Sequence, residues 1–155
     1  MVKNKYLICV SNLKNCAAAL KYAALKAKKD GALIEILSVI DTVNKGYGLF
    51  SVDKIMDQEK RQDQEDSLNE ISAYIKKLSN ILPVINIKEG IISDEISKVL
   101  ENDKSINLII LSSCEESSSK GKLISHIAEL SAIKIFTPIS IIPNSLSEEE
   151  IKKII

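Results

Sequence analysis

"KYLICVSNLKNCAAALKYAALKAKKDGALIEILSVID", residues 5–41, holds two short apolar runs separated by one segment rich in alanine and lysine. "KYLICV" (5–10) is nearly continuous in apolar residues, the pattern of a strand covered on both faces. "NCAAALKYAALKAKKDG" (15–31) places Ala17, Leu20, Ala24 and Ala27 at helical spacing. Its last turn carries lysines, which suit the negative end of the helix dipole, and Gly31 stands where a C-terminal cap belongs. "ALIEILSVID" (32–41) is a second apolar strand. Strand, helix and strand make a βαβ unit with parallel strands and a right-handed crossover.

The same alternation continues outward. Residues 42–52 read as a loop with Gly46 and Gly48 around Tyr47. Tyr47 and Phe50 are a close aromatic pair, suited to covering an adenine ring, to a dimer contact or to packing over the sheet edge. A long helix is predicted over 53–79. Its first half, 53–66, is polar nearly all round and is expected in solvent or on a partner, while Leu68, Ile71, Ile75 and Leu78 form an apolar stripe. "PVINIKEG" (83–90) reads as a third strand entered at Pro83, "SDEISKVLEND" (93–103) as a helix capped by Ser93, and "INLIIL" (106–111) as a fourth strand. "SHIAELSAIKI" (125–135) gives a further helix and "TPISIIP" (137–143) a last strand with Pro138 and Pro143 near its ends. A short helix over 147–155 closes the chain. There Ser147 and Glu150 have capping-box spacing, and Leu146 and Ile151 can staple. No linker or repeat divides residues 1–155, so the expectation is one doubly wound α/β domain of about five parallel strands with helices on both faces.

Composition excludes several function classes. A chain of 155 residues supports a single buried core. Lys+Arg and Asp+Glu balance at 21 each, and Arg61 is the only arginine. Neither a nucleic acid nor an anionic membrane is an expected partner, because base reading and bidentate phosphate contacts favour arginine. The apolar stretch Tyr6–Val10 is shorter than the roughly 7–15 residues of a secretory core or the about 20 of a spanning helix. The expected location is the cytoplasm. Cys9, Cys16 and Cys114 have no paired spacing and His126 is the one histidine, so neither a disulfide framework nor a metal site is expected.

In this order of elements the chain resembles the universal stress protein family from residue 5 to 143. "YLICVSNLKNCAAALKYAALKAKKDG" is similar to that family's opening strand, polar turn and alanine-rich helix, and "ALIEILSVID" to its second strand. "EGIISDEISKVLENDKSINLIILSS" resembles its third helix and fourth strand, and "SHIAELSAIKIFTPISIIP" its closing helix and strand. The resemblance implies a flavodoxin/Rossmann-like fold of the adenine-nucleotide alpha hydrolase kind, with the strands in a flavodoxin-like order. It also implies a homodimer paired through the last strand, here Ile139, Ser140, Ile141 and Ile142. In ATP-binding members the nucleotide lies at the C-terminal ends of the strands. It is held there by an aspartate after strand one and by a motif of Gly, two residues, Gly, nine residues and Gly-Ser or Gly-Thr. By that resemblance the cleft is lined by Ser11, Val39, Ser112, Ser113, Lys120, Gly121, Ser125 and His126.

This sequence departs from the motif. Its four positions fall on Ser112, Glu115, Ser125 and His126, and the aspartate falls on Ser11, so none of the three glycines is present. Glycines let backbone N–H groups approach phosphate closely and reach positive φ without strain. A carboxylate such as Glu115 about 4 Å from a phosphate oxygen costs roughly 1 kcal/mol in water and about 4 kcal/mol at intermediate dielectric. Against this, Ser117–Ser119, Lys120, Gly121 and Lys122 precede a helix start, which attracts anions. Two readings of the loop therefore stand: a solvated surface loop, or a rebuilt anion site. Cys114 with His126 is a third, thiol-based reading, with no acid placed to orient the histidine. The expected function is a dimeric binding or interaction module of stress physiology, with an unidentified protein partner. It is not expected to be a catalyst or to hold ATP in the usual family way, and no cofactor is assigned. The alternative is an ATP or AMP binder that uses the serine–lysine loop, with slow ATP hydrolysis.

Overall fold

The first strand, β1 (Lys5–Cys9), is followed by helix α1 (Leu13–Asp30) and strand β2 (Leu33–Asp41). In this computed structural model the described residues are 3–10, 13–41, 50–113, 124 and 135–155. α1 ends as its sequence dictates: Gly31 takes φ 68°, and the Ala32 N–H donates to the Ala27 carbonyl at 3.0 Å, closing a Schellman turn. Cys16, Ala19, Leu20, Ala23, Ala24 and Ala27 are buried, while Ala17 is only half-buried. The contact stripe therefore runs beside Ala17, and its small side chains let α1 lie close on the sheet.

The chain continues through α2 (Phe50–Ser79), β3 (Val84–Gly90), α3 (Ile92–Asn102), β4 (Ile106–Ser113), β5 (Ile139–Pro143) and α4 (Glu148–Ile154). The five strands form one sheet in the order β3-β2-β1-β4-β5, with every pairing parallel. This is the Rossmann order rather than the flavodoxin order. The first two crossovers both step outward from β1, which leaves β3 at the edge, and the chain then returns past β1 to lay down β4.

Alternate strand residues separate two cores. Ile8, Ile36 and Ile110 pack with Leu20 of α1, Ile71 and Ile75 of α2 and Ile151 of α4. Leu7, Leu37, Ile109 and Leu111 pack with Ile96 and Val99 of α3 on the other face. Full burial of each such side chain contributes about 1.5–3 kcal/mol before entropy is counted.

Several boundaries differ from expectation. α2 begins at Phe50 rather than 53, taking in residues read as loop; Tyr47 lies outside the described residues. The polar half of α2 is helical, and Gln58, Glu59, Arg61, Gln62 and Asp63 are exposed. Ser93 does not cap α3. The cap position is Ile91, with no side-chain bond, and Ser93 lies inside the helix. The helix starts early because the Glu95 N–H donates to the Ile91 carbonyl at 3.0 Å, and the Glu95 side chain folds against Gly90. Gly90 takes φ 152°, which L side chains rarely adopt, so this turn favours glycine, and a Cβ there would also press on the Glu95 side chain. β5 is shorter than 137–143 because it starts after Pro138, whose carbonyl accepts from the Ile109 N–H at 2.9 Å. At α4 the capping box forms: Ser147 Oγ accepts from the Glu150 N–H and the Glu150 carboxylate from the Ser147 N–H. Leu146 and Ile151 join the same apolar cluster.

A polar network pins the N-terminal ends of the strands. Lys5 Nζ donates to Asp103 and, at 3.3 Å, to buried Glu35, whose other oxygen accepts from Asn86 Nδ2 at 3.1 Å. Asp103 Oδ1 also accepts from the Ser105 N–H at 2.9 Å. The Lys5 ammonium, followed by the Ser105 bonds, holds the Asp103 carboxyl down at about 2.

Candidate functional site

β1 stops at Cys9, whereas β2 runs to Asp41 and β4 to Ser113. The chain also changes direction between β1 and β4, so the two sets of connections part above the end of β1. Ligands of open α/β sheets bind at this switch point, beyond the carboxyl ends of the strands. Cys9 pairs with Leu37 of β2, and Ile8 with Ile110 of β4. Val39 and Ser113 each lie two residues past the level of Cys9, on the sheet face shared with α3. Both are half-buried, and Cys9 between them is buried. The Val10 N–H donates to the Leu37 carbonyl at 3.0 Å and carries the pairing with β2 one residue past Cys9.

Ser112 faces the other way, toward α1. Its hydroxyl donates to the Asn15 carbonyl at 2.7 Å, tying the end of β4 to the first turn of α1. A glycine could not make that bond. The Asn144 N–H donates to the Ser113 carbonyl at 3.3 Å, and Asn144 Oδ1 accepts from the Ala18 N–H at 3.4 Å, so the segment after β5 braces the same corner. On β2, buried Ser38 receives a hydrogen bond from Gln64 of α2, which fastens the polar half of that helix beside the site. The first turn of α1 carries no acid, so its positive end is not neutralised by its own side chains.

Burial, with a smaller effect of Cys16, pushes the Cys9 thiol up to about 12. It stays protonated at neutral pH and does not have the character of a nucleophile. Among the described residues no group of three or more His, Cys, Asp or Glu could hold a metal ion. Among them, too, no helix is long and apolar enough to cross a membrane.

Of the residues expected to line the cleft, Val39, Ser112 and Ser113 are brought to the strand ends around the close of β1. Ser11, Lys120, Gly121, Ser125 and His126 lie outside the described residues, as do Cys114 and Glu115. Sequence reading missed the Asn15 carbonyl, Asn144 and the Ser38–Gln64 pair. Only Asn144 carried a local signal, as a turn residue directly after Pro143.

A family model of the universal stress protein family matches residues 4–130. Among solved structures, the chain is similar to universal stress protein UspA from Lactobacillus plantarum, at 17% identity and TM-score 0.70, covering 91% of this chain and 97% of that one. It is also similar to a universal stress protein from Burkholderia pseudomallei, at 16% identity and TM-score 0.63, covering 92% and 97%. A third likeness is to the universal stress protein from Archaeoglobus fulgidus in complex with dAMP, at 15% identity and TM-score 0.54, covering 92% and 99%. A universal stress protein in complex with cAMP matches at 13% identity and TM-score 0.58, covering 92% and 98%. No curated protein matches the chain. At these identities the structural likenesses speak for the fold alone, whereas the family model spans most of the sequence. The chain belongs to the universal stress protein family.

Proposed function

We propose that the protein acts in stress physiology as a homodimeric binding module of the cytoplasm, paired through β5 and engaging a protein partner, without taking ATP in the usual way of its family. The observation that carries this reading is the Ser112 hydroxyl, which bonds across to the Asn15 carbonyl at 2.7 Å where the family motif has glycine. A serine tethered in this way to α1 stands where a glycine would leave the main chain bare for phosphate to approach its N–H groups. β5 supports the pairing: among the described residues it pairs only with β4, and Ile141 is 46% exposed on it. An open apolar strand edge is a liability unless another chain covers it. Isothermal titration with ATP and magnesium tests the ligand half, with no heat expected up to millimolar nucleotide. Saturable heat at micromolar ATP would overturn it. Equilibrium sedimentation tests the pairing: self-association at micromolar protein that Ile141→Lys reduces is expected, and a monomeric wild type refutes it.

The second reading is a nucleotide binder that uses the serine–lysine loop around Lys120. Its support is the acid-free first turn of α1 at the switch point, together with the dAMP and cAMP bound by two structural relatives. Micromolar heat that disappears in Lys120→Ala would establish it in place of the first.

A further inference from the structure

At the end of the sheet opposite the crevice, a pocket of about 160 Å³ opens between the last turn of α3, the start of β4 and the segment entering β5. Its lining is mixed: Leu100, Ile106 and Ile135 form an aliphatic wall, of which Ile106 and Ile135 are buried, and Ser97, Asp103 and Thr137 form a polar one. Glu101 and Lys104 stand exposed on its rim. Phe136 stands at the same rim with 97% of its surface in solvent. A cavity of about 150 Å³ with aliphatic walls accepts one benzene-sized ring. Small-molecule and cofactor sites are larger, about 300–1,000 Å³. The volume therefore fits a single aromatic side chain and not a nucleotide.

We propose that this face is a self-association surface, in which Phe136 of each of two copies enters the other's pocket across a two-fold axis. A two-fold interface has to be self-complementary, with every protrusion matched by a hole and every charge by its opposite within one patch. Phe136 and the pocket beside it supply the first match. Glu101 and Lys104 supply the second, with Lys104 of one copy facing Glu101 of the other. Lys104 is already held at the rim, since its ammonium donates to the Leu100 carbonyl at 3.4 Å. An aromatic ring set against aliphatic side chains, with polar and charged groups around it, is the usual make-up of an interface hot spot.

This surface adjoins the segment entering β5 but opens toward α3 and the start of β4, and it does not rest on the pairing proposed for the β5 edge. With both in place each chain has two different two-fold contacts, so the protein assembles beyond a dimer. Sedimentation of the full chain at tens of micromolar reads the two contacts separately. For wild type, species heavier than a dimer are expected. Phe136→Ala, a change at an exposed side chain that leaves folding intact, is expected to weaken the larger assembly by about 30-fold or more, leaving the β5 dimer. Glu101→Lys is expected to act in the same direction, and Glu101→Lys with Lys104→Glu to restore the mass by reversing both signs. A wild-type dimer abolished by Phe136→Ala and untouched by Ile141→Lys upholds the pocket contact and removes the β5 reading. A mass distribution unmoved by Phe136→Ala, or a double charge swap that restores nothing, overturns the proposal and leaves the pocket to a different protein.

Discussion

Replacing Lys5 with methionine keeps the stem of the side chain and removes the one charge at the centre of the polar network. Glu35, with 8% of its side chain exposed, then keeps only the Asn86 amide, and Asp103, at 30%, keeps Ser105. Removing one partner of a fully buried ion pair costs about 3–5 kcal/mol. Lys5 itself is 17% exposed and solvent reaches Asp103, so the expected loss for Lys5→Met is smaller, about 2–4 kcal/mol. For a domain of this size that lowers Tm by roughly 6–12 °C at the middle of the range. Urea unfolding followed by circular dichroism measures it, and the pH dependence adds a sign. The folded pKa of Asp103 is depressed to about 2, so its stabilisation is complete above the unfolded value near ~4 and is lost as pH falls through about 2. The gap between wild type and Lys5→Met should therefore be full at neutral pH and narrow as pH falls through that window. Adding Glu35→Gln removes the orphaned charge while keeping an acceptor for Asn86, and should recover at least about 1 kcal/mol. A single variant that loses under about 1 kcal/mol, or a double variant no more stable than the single, would refute the account of this network.

Three further outcomes are expected. Ser112→Ala removes the hydroxyl bond to the Asn15 carbonyl and should cost about 0.5–1.5 kcal/mol in urea unfolding; no change would mean the tether contributes nothing in solution. Ile110→Ala empties a fully buried position between α1 and the sheet and should cost about 2–5 kcal/mol, measured the same way. Ser147→Ala breaks the capping box of α4 at about 0.5–2 kcal/mol, seen as faster amide exchange at Glu150 while the exchange of β1 stays unchanged.

Among the described residues the alternation of elements was legible because it is written in local periodicity; the helix expected over 125–135 lies outside them. Residues 5–41 alone specify strand, capped helix and strand, and the Gly31 cap and the Ser147–Glu150 box were readable from a few neighbouring residues. The start of α3 was misread because Ser93 has the chemistry of a cap, whereas the helix begins where Glu95 can fold over Gly90. No local pattern records that contact. The family likewise was legible in the order of elements, since the same succession of apolar runs recurs although single residues have changed.

The candidate site was legible only as far as the strand ends. That Ser112, Ser113 and Val39 fall at the carboxyl edge follows from their places at the ends of apolar runs. That Ser112 bonds to residue 15, 97 positions away, and Lys5 to Asp103, 98 positions away, could not be read from either segment. Sequence by itself determined the elements, because turns, caps and apolar spacing act within a few residues. Only the tertiary structure decided the strand order and the partners of each polar group. Parallel neighbours come from distant parts of the chain, and a side chain's partner is set by the register in which they pair.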